Sequence, residues 1–308
     1  MESFYLLISD QLVQSIHYAI ENWGVVITLG VFVLELLLLA ARRQITRNVL
    51  GDVVANFVTL FLSIVVNTIL LAFVYLAAFY VVWIEFSLFQ LPTNLWTILA
   101  CLVLADLAYY WEHRFVHRVG FAWATHAVHH SSPHFNISVA YRFGPLDGLM
   151  PLPFHLPLAL LGFNPLVILF CEMVVQLYQT LLHTEVVKKL PRPIEALLNT
   201  PSHHRVHHGS NPQYMDRNYG GILIVWDKLF GTFAEEQEPV KFGITTPINS
   251  VNPVKIFLFG YQLLFKKMWG AKTVADALGY FFQPPDWQPQ VVNNQGKSRT
   301  SSQMKSKT

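Results

Sequence analysis

Histidine is concentrated in one part of this chain, where twelve of its thirteen histidines lie between residues 113 and 208. Eight of them fall into three groups with i, i+3 or i+4 spacing: His113 and His117; His126, His129 and His130; and His204, His207 and His208. Residues at that spacing share one face of a helix. One such pair is typical of an ordinary helix surface, but three groups are not. Because one first-row metal ion takes about four to six ligands, the pattern predicts three converging helices and a site for two metal ions, each with an open position.

The composition favours a membrane protein. Hydrophobic residues make up 53% of the chain and charged residues only 13%, whereas soluble domains carry roughly 25% charged residues. A formal net charge of +2 gives no reason to expect a nucleic-acid partner. The two cysteines, Cys101 and Cys171, lie in apolar runs, where buried free thiols are expected.

Long apolar runs predict the membrane-spanning helices. Residues 24–41, 53–83 and 95–110 are each almost entirely apolar, and a bilayer requires about 20 such residues in a helix. Residues 146–182 are also apolar, but five prolines between residues 145 and 165 and a turn at residues 162–165 interrupt this stretch, which predicts a helical hairpin. The expected fold is therefore an all-α integral membrane protein with about four transmembrane helices, of which one pair forms a hairpin.

The distribution of basic residues predicts which side of the membrane carries the histidines. Three arginines lie directly after the first apolar run, in residues 42–47, whereas the loop at residues 84–94 has no basic residue. Arg114 and Arg118 alternate with the first histidine group. By the positive-inside rule we expect a multi-pass protein whose active site lies in a helical cap on the cytoplasmic side.

We expect one membrane-embedded domain over residues 1–290, with a histidine-rich core at residues 104–233. Residues 253–269 mix aromatic and basic side chains, which is typical of a helix in the membrane interface. The polar, basic residues 291–308 predict a disordered tail. Within the core, Ser202 is a candidate N-cap for the helix of the last histidine group.

The three histidine groups resemble the histidine boxes of the fatty acid hydroxylase/sterol desaturase superfamily. The stretch TPSHHRVHHGSNPQYMDRNYGGILIVWDKLFGTF, residues 200–233, is similar to the alkylglycerol monooxygenase branch of that superfamily, as is HHSSPHFNIS, residues 129–138. The resemblance extends over residues 104–233. It implies an integral-membrane, non-haem enzyme that binds two Fe²⁺ ions and uses O₂.

The resemblance also implies a set of metal ligands. These would be the eight grouped histidines and His183, which looks like an additional family histidine in the stretch QTLLHTE. No catalytic residue beyond the ligands is expected. Four residues are candidates to orient the imidazoles through their second nitrogen, although helix capping and turn formation explain them equally well: His203, Asp216, Asn218 and Asp227. We expect His155 to line or pack the hairpin, and His134 to lie outside the ligand set.

The predicted function is an O₂-dependent lipid hydroxylase, a monooxygenase acting on a C–H bond of a fatty acyl, sterol or alkyl-ether lipid. Electrons would come from a donor protein or a diffusible reductant. Two alternatives stay open from the sequence. One is a lipid or sterol desaturase with the same di-iron site, and the other is a histidine-rich membrane metal-binding protein or transporter. An HExxH zinc-hydrolase motif is absent.

Overall fold

The computed structural model describes residues 25–289, together with residues 15, 18, 291–292 and 298–299. Residues 25–289 form eleven α-helices, which are α1 (Val25–Ala41), α2 (Arg47–Phe86), α3 (Leu95–Arg118), α4 (Gly120–His130), α5 (Leu152–Leu160), α6 (Pro165–Leu182), α7 (Arg192–Leu197), α8 (Pro201–His207), α9 (Val225–Leu229), α10 (Pro253–Trp269) and α11 (Val274–Phe282). Two short 3₁₀ helices, Ile137–Tyr141 and Asp147–Leu149, connect α4 to α5. The predicted all-α class is thus confirmed for residues 25–289.

Within the part of the chain that the structure describes, three helical segments are long and apolar enough to cross a membrane: Arg47–Ile69 within α2, all of α3, and α6. We call these the candidate spans. The expected count of about four spans stays a prediction, because α1 and the second half of α2 are shorter apolar helices. The predicted hairpin exists as α5 and α6, but α5 has nine residues and contains Pro157. At 1.5 Å per residue it extends about 14 Å, which is less than half of the bilayer's hydrocarbon core.

The apolar core lies where the hairpin packs against α3 and the second half of α2. Small side chains allow close packing there, among them Ala105 and Ala159, which are fully buried. Cys101 and Cys171 lie in the same core as buried free thiols, as predicted. This packing fixes α3 against α6, and the C-terminal ends of both helices lead to the histidines.

Helix α10 packs against α4, which carries the second histidine group. The two backbones approach so closely that a Cβ atom at Gly260 would lie 1.9 Å from the carbonyl oxygen of Ala124. Only glycine fits at that position. Among the described residues α10 is not a candidate span, and its contact with α4 supports the histidine helix from outside.

The chain ends are described only in part. Val291–Val292 (β1) and Ser298–Arg299 (β2) form a short antiparallel pair. The remainder of the predicted tail and most of residues 1–24 lie outside the described residues, so the disorder of residues 291–308 and the domain boundary at residue 290 stay predictions.

Candidate metal centre

Nine histidines of the described chain form two groups in which the ligating nitrogen atoms lie within 4.8 Å of one another. The first group, here called site A, contains His113, His117, His126, His130 and His207. The second group, site B, contains His129, His183, His204 and His208. These are the nine residues that the sequence indicated, and among the described residues no other histidine, cysteine or acidic side chain joins either group.

Helix geometry explains how the histidines divide between the two sites. The i, i+4 pair His126 and His130 on α4 belongs to site A, and His129 on the same helix belongs to site B. Helix α8 divides its histidines in the opposite sense, because His207 belongs to site A whereas His204 and His208 belong to site B. The sites are therefore adjacent, and the rings of His130 and His208 stack with centroids 4.3 Å apart.

The remaining ligand candidates come from α3 and from the residue that follows α6. Helix α3 supplies His113 and His117 from successive turns, and only Val119 separates α3 from α4. The short link brings the Nε2 atom of His113 to 3.2 Å from the Nε2 atom of His126. His183, the C-cap of α6, completes site B, where its Nε2 atom lies 3.0 Å from that of His204.

The spacing of these nitrogen atoms fits a metal ion. Ligating imidazoles lie about 2.0–2.1 Å from a divalent ion, so two of them in neighbouring positions are roughly 3.0–3.4 Å apart. The Nε2 atoms of His126 and His130 are 3.2 Å apart, as are those of His129 and His183. The Nε2 atoms of His117, His207 and His208 are buried and have no hydrogen-bond partner among the described residues. A cation bound in each site would satisfy them.

The environment keeps the imidazoles uncharged. Burial, followed by repulsion from neighbouring histidines, holds the pKa of five of them well below the ordinary 6.5: His126, His129, His130, His204 and His208. Burial also lowers the pKa of His183 to about 3 and that of His207 to about 4. Each is neutral at pH 7 and therefore offers a lone pair, which is the form that binds metal ions.

Backbone carbonyl groups orient three of the rings. The Nδ1–H of His113 donates to the carbonyl oxygen of Tyr219 at 3.0 Å, and that of His207 donates to the carbonyl oxygen of Arg217 at 3.0 Å. His183 donates in the same way to Gln179 at 2.9 Å. Because the proton resides on Nδ1 in each case, the Nε2 lone pair is directed at the site. Residue type alone gave no indication of these acceptors.

The four residues predicted to orient imidazoles act differently from expectation, because none of them hydrogen-bonds a ring of site A or site B. Asp216 comes nearest, with a carboxylate oxygen 3.8 Å from Nδ1 of His117, but it pairs with Arg118 at 2.6 Å. Asp216 and Asn218 adopt left-handed backbone conformations, with φ of 59° and 57°. Short polar residues tolerate this conformation, and here it shapes the loop whose Arg217 and Tyr219 carbonyls face the histidines.

Asn218 and Asp227 stabilise that loop. The Asn218 amide donates to the carbonyl oxygens of His203 and Ala234 at 3.1 and 2.8 Å. The fully buried Asp227 carboxylate accepts from the backbone N–H groups of Tyr219 and Gly220, both at 2.7 Å. Asp227 therefore acts on His113 through the Tyr219 carbonyl rather than by direct contact.

His203 faces away from both sites. Its Nε2 atom lies 2.9 Å from a Glu195 carboxylate oxygen, which also accepts from the Ser202 hydroxyl at 2.8 Å. The expectation that Ser202 caps α8 is wrong, because Thr200 is the N-cap and Ser202 lies inside the helix. Glu195 anchors the first turn of α8 from α7, so the orientation of α8 depends on a buried carboxylate that the sequence did not single out.

His155 and His134 lie outside both sites, as expected. The His155 ring packs in the hairpin, donates from Nδ1 to the Pro151 carbonyl at 3.0 Å, and lies 3.4 Å from Glu172. The backbone of His134 hydrogen-bonds the Ser132 hydroxyl.

Two cavities flank the histidines. The first, here called the span cavity, has a volume of about 200 Å³ and lies between α3 and α6, with Glu112, Val116 and Gln179 in its wall. The second, the α10 cavity, has a volume of about 270 Å³ and is lined by Trp123 and Lys267 among others. Histidines of both sites line each cavity, so the centre is accessible from two directions.

Comparison with known proteins gives consistent matches. The sequence pattern of the fatty acid hydroxylase family matches residues 98–232. The chain is 41% identical to an alkylglycerol monooxygenase of Danio rerio over 70% of this chain and 48% of the relative. It is 33% identical to the ornithine lipid hydroxylase OlsE of Rhizobium tropici over 47% of this chain and 44% of the relative.

More distantly, the chain is 26% identical to lathosterol oxidase of Homo sapiens over 54% of this chain and 52% of the relative. The chain thus spans about half the length of the curated relatives that it matches. No solved structure matches it.

Proposed function

The chain belongs to the fatty acid hydroxylase family through residues 98–232, and we propose that it is a membrane-bound di-iron oxygenase that hydroxylates a C–H bond of a lipid with O₂. One observation carries the proposal: nine histidines form two adjacent sites beside a cavity between two candidate spans. The proposed ligands are the five histidines of site A and the four of site B.

The donor set is compatible with iron. Imidazole suits iron, zinc and copper, whereas the harder Mg²⁺ and Ca²⁺ prefer oxygen ligands. When bound, two ferrous ions supply the electrons and the open coordination positions that activate O₂ for attack on an unactivated C–H bond. Four or five imidazoles for each ion leave room for such a position at site B at least.

The chain's own residues prepare this chemistry. The carbonyls of Tyr219, Arg217 and Gln179 accept hydrogen bonds from the Nδ1–H groups of three histidines. Each of these rings is thereby held in the tautomer whose Nε2 lone pair is free to bind a metal ion. Burial of the centre limits access of bulk water, which protects the reactive species. Because α3 and α6 form walls of the span cavity, we propose that the lipid enters from the membrane between them.

We further propose that electrons arrive from the opposite side. The α10 cavity reaches His117 and His207 of site A and carries the charged side chains Lys267 and Asp286 at its wall. A donor protein or a diffusible reductant would act there. The basic residues beside the histidines support placement of this face on the cytoplasmic side.

Two alternative functions make predictions that differ from those of the hydroxylase. The similarity to lathosterol oxidase favours removal of two hydrogens from a lipid as the second candidate reaction. A metal transporter would require ions to leave a site in which eight of the nine histidines are buried. A desaturase would use the same metal centre and cavity, whereas a metal transporter gives no role to the span cavity.

Oxygen-18 labelling tests the proposal. Cells expressing wild type, His207→Ala or the control variant His134→Ala would be exposed to ¹⁸O₂ and their lipids compared by mass spectrometry. His134 lies outside both sites, so it controls for the same histidine-to-alanine change. We expect a lipid that gains labelled oxygen with wild type and His134→Ala only. A lipid that loses two hydrogens without label would indicate the desaturase, and equal labelling with His207→Ala would contradict the oxygenase.

A further inference from the structure

Glu112 presents an unpaired carboxyl group to the span cavity. Its side chain is only 10% exposed, and it accepts no hydrogen bond from any residue that the structure describes. The Nδ1 atom of His155 lies 4.0 Å from a Glu112 carboxyl oxygen, beyond hydrogen-bond distance, and closer to Glu172, at 3.4 Å. Burying a polar group without a partner is unfavourable, so such groups are rare in native proteins. A partner from outside the chain would remove this cost.

A second unpaired acceptor lines the same cavity. Gln179 is 3% exposed, and its amide nitrogen donates to the carbonyl oxygens of Gly220 and Gly221. These two bonds fix the orientation of the amide, and its oxygen accepts nothing from the described residues. Glu112 and Gln179 come from facing helices, α3 and α6. The cavity therefore offers two buried acceptors beside the rings of His113 and His183.

The charge of the cavity wall limits what these acceptors bind. Among the described residues no lysine or arginine lines the span cavity, whereas Lys267 lines the α10 cavity. Asp147 also lines the span cavity, but its carboxylate already accepts from the backbone N–H of Gly144. A phosphate or carboxylate headgroup has no hydrogen to donate to these oxygens and would meet carboxyl groups with no lysine or arginine beside them. A hydroxyl group would instead donate to the unpaired oxygens.

We propose that Glu112 is a specificity-determining residue. Together with Gln179, it accepts hydrogen bonds from hydroxyl groups of a non-anionic lipid, one bond from each O–H, and holds the adjacent C–H bonds beside the metal centre. The inference rests on the proposed function and narrows its substrate to lipids with a free hydroxyl near the oxidised carbon.

Binding of matched probes tests the assignment. The probes are 1-O-hexadecylglycerol, the same lipid with both hydroxyls methylated, and palmitic acid, each titrated into phosphatidylcholine nanodiscs that contain the purified protein. The readout is the probe fraction that gives half of the maximal rise in Tm. The variants are Glu112→Met, Glu112→Gln and the control Glu172→Met. Glu172 is another acidic residue of a candidate span, but it accepts from the Tyr75 hydroxyl at 3.0 Å and does not line the cavity.

We expect wild type to prefer the diol over the methylated probe at least roughly fivefold, the effect of leaving one buried acceptor unpaired. Glu112→Met should abolish this preference, Glu112→Gln should retain part of it, and Glu172→Met should keep it. The lipid-free Tm should not fall in Glu112→Met, because an unpaired carboxyl is removed, but should fall in Glu172→Met, because the Tyr75 hydroxyl loses its partner. A merely structural role for Glu112 predicts a lower Tm instead.

Three results would overturn the assignment: no preference in wild type, an unchanged preference in Glu112→Met, or palmitic acid binding as tightly as the diol. The same preparations, loaded with iron and exposed to ¹⁸O₂, distinguish a failure of the Glu112 assignment from a failure of the proposed oxygenase function. A preference that depends on Glu112, without labelled product from any probe, would contradict the oxygenase and leave the assignment standing. Labelled product without any effect of Glu112→Met on preference would refute the assignment alone.

Discussion

Asp227→Asn is expected to weaken both the fold and the metal centre, although Asp227 touches no imidazole of either site. One carboxylate oxygen accepts from Tyr219 N–H and from the Thr232 hydroxyl, and the other accepts only from Gly220 N–H, at distances of 2.6–2.7 Å. Asparagine can keep the first oxygen, but an NH₂ group then replaces the second oxygen. This group cannot accept the hydrogen bond from the Gly220 N–H.

The magnitude follows from that exchange. A hydrogen bond to a charged group contributes about 1.5–3 kcal/mol, and the Gly220 N–H is left buried without an acceptor. We therefore expect a loss of about 2–3 kcal/mol in the free energy of unfolding. The Tyr219 carbonyl accepts the hydrogen bond from the Nδ1–H of His113, so a displacement of the Tyr219 backbone should also disturb the orientation of this ring. We expect metal affinity to fall by roughly 10–100-fold, as it does when other groups that orient ligands are changed.

The assay is the Tm of purified protein together with its iron content after dialysis against a graded chelator. Asp216→Asn is the matched control, because Asp216 lies in the same loop but is 42% exposed and forms a surface ion pair with Arg118. Such pairs contribute about 0–1 kcal/mol, so both readings should stay near wild type. Wild-type Tm and iron retention in Asp227→Asn would refute the role assigned to this carboxylate.

Three further predictions concern the histidines and the packing around them. The metal-free protein should become less stable as the pH falls from 6.5 toward 4. In that range the histidines of the unfolded chain become protonated, whereas His183 (pKa about 3) and His207 (pKa about 4) stay neutral in the folded chain. A free energy of unfolding that does not change over that pH range would contradict this prediction. Gly260→Ala should lower the Tm because its Cβ would overlap the α4 backbone, whereas Gly30→Ala, with open space around it, should not. His183→Ala should reduce the metal content from two ions per chain to one, measured by elemental analysis, whereas His203→Ala should leave it at two.

The grouping of the candidate ligands could be predicted from the sequence because most of its determinants are local. Spacing of three and four residues places His126, His129 and His130 on one helix face regardless of tertiary structure. The division of the histidines between site A and site B could not be predicted from the sequence, because it depends on how α4 and α8 are rotated relative to each other. The number of spans was also undetermined, because proline within the hairpin shortens α5 in a way that hydropathy does not reveal.

The surrounding contacts could not be predicted because backbone geometry creates them. Arg217 and Tyr219 present carbonyl groups to the histidines as a result of left-handed φ angles at Asp216 and Asn218. Residue type indicated only that polar side chains lay near the last histidine group. Similarly, the packing of α3 against α6 brings Glu112 and the Gln179 amide to one cavity, and 67 residues of sequence separate them.

The most direct test of a di-iron centre is the iron stoichiometry and ligation of the active protein. Protein from cells grown on ⁵⁷Fe would be purified in its membrane lipids, quantified for iron and zinc, and measured by Mössbauer spectroscopy before and after exposure to O₂. We expect two irons per chain with nitrogen ligation, both oxidised by O₂. Lipid oxidation by a preparation that contains zinc and no iron would contradict the account.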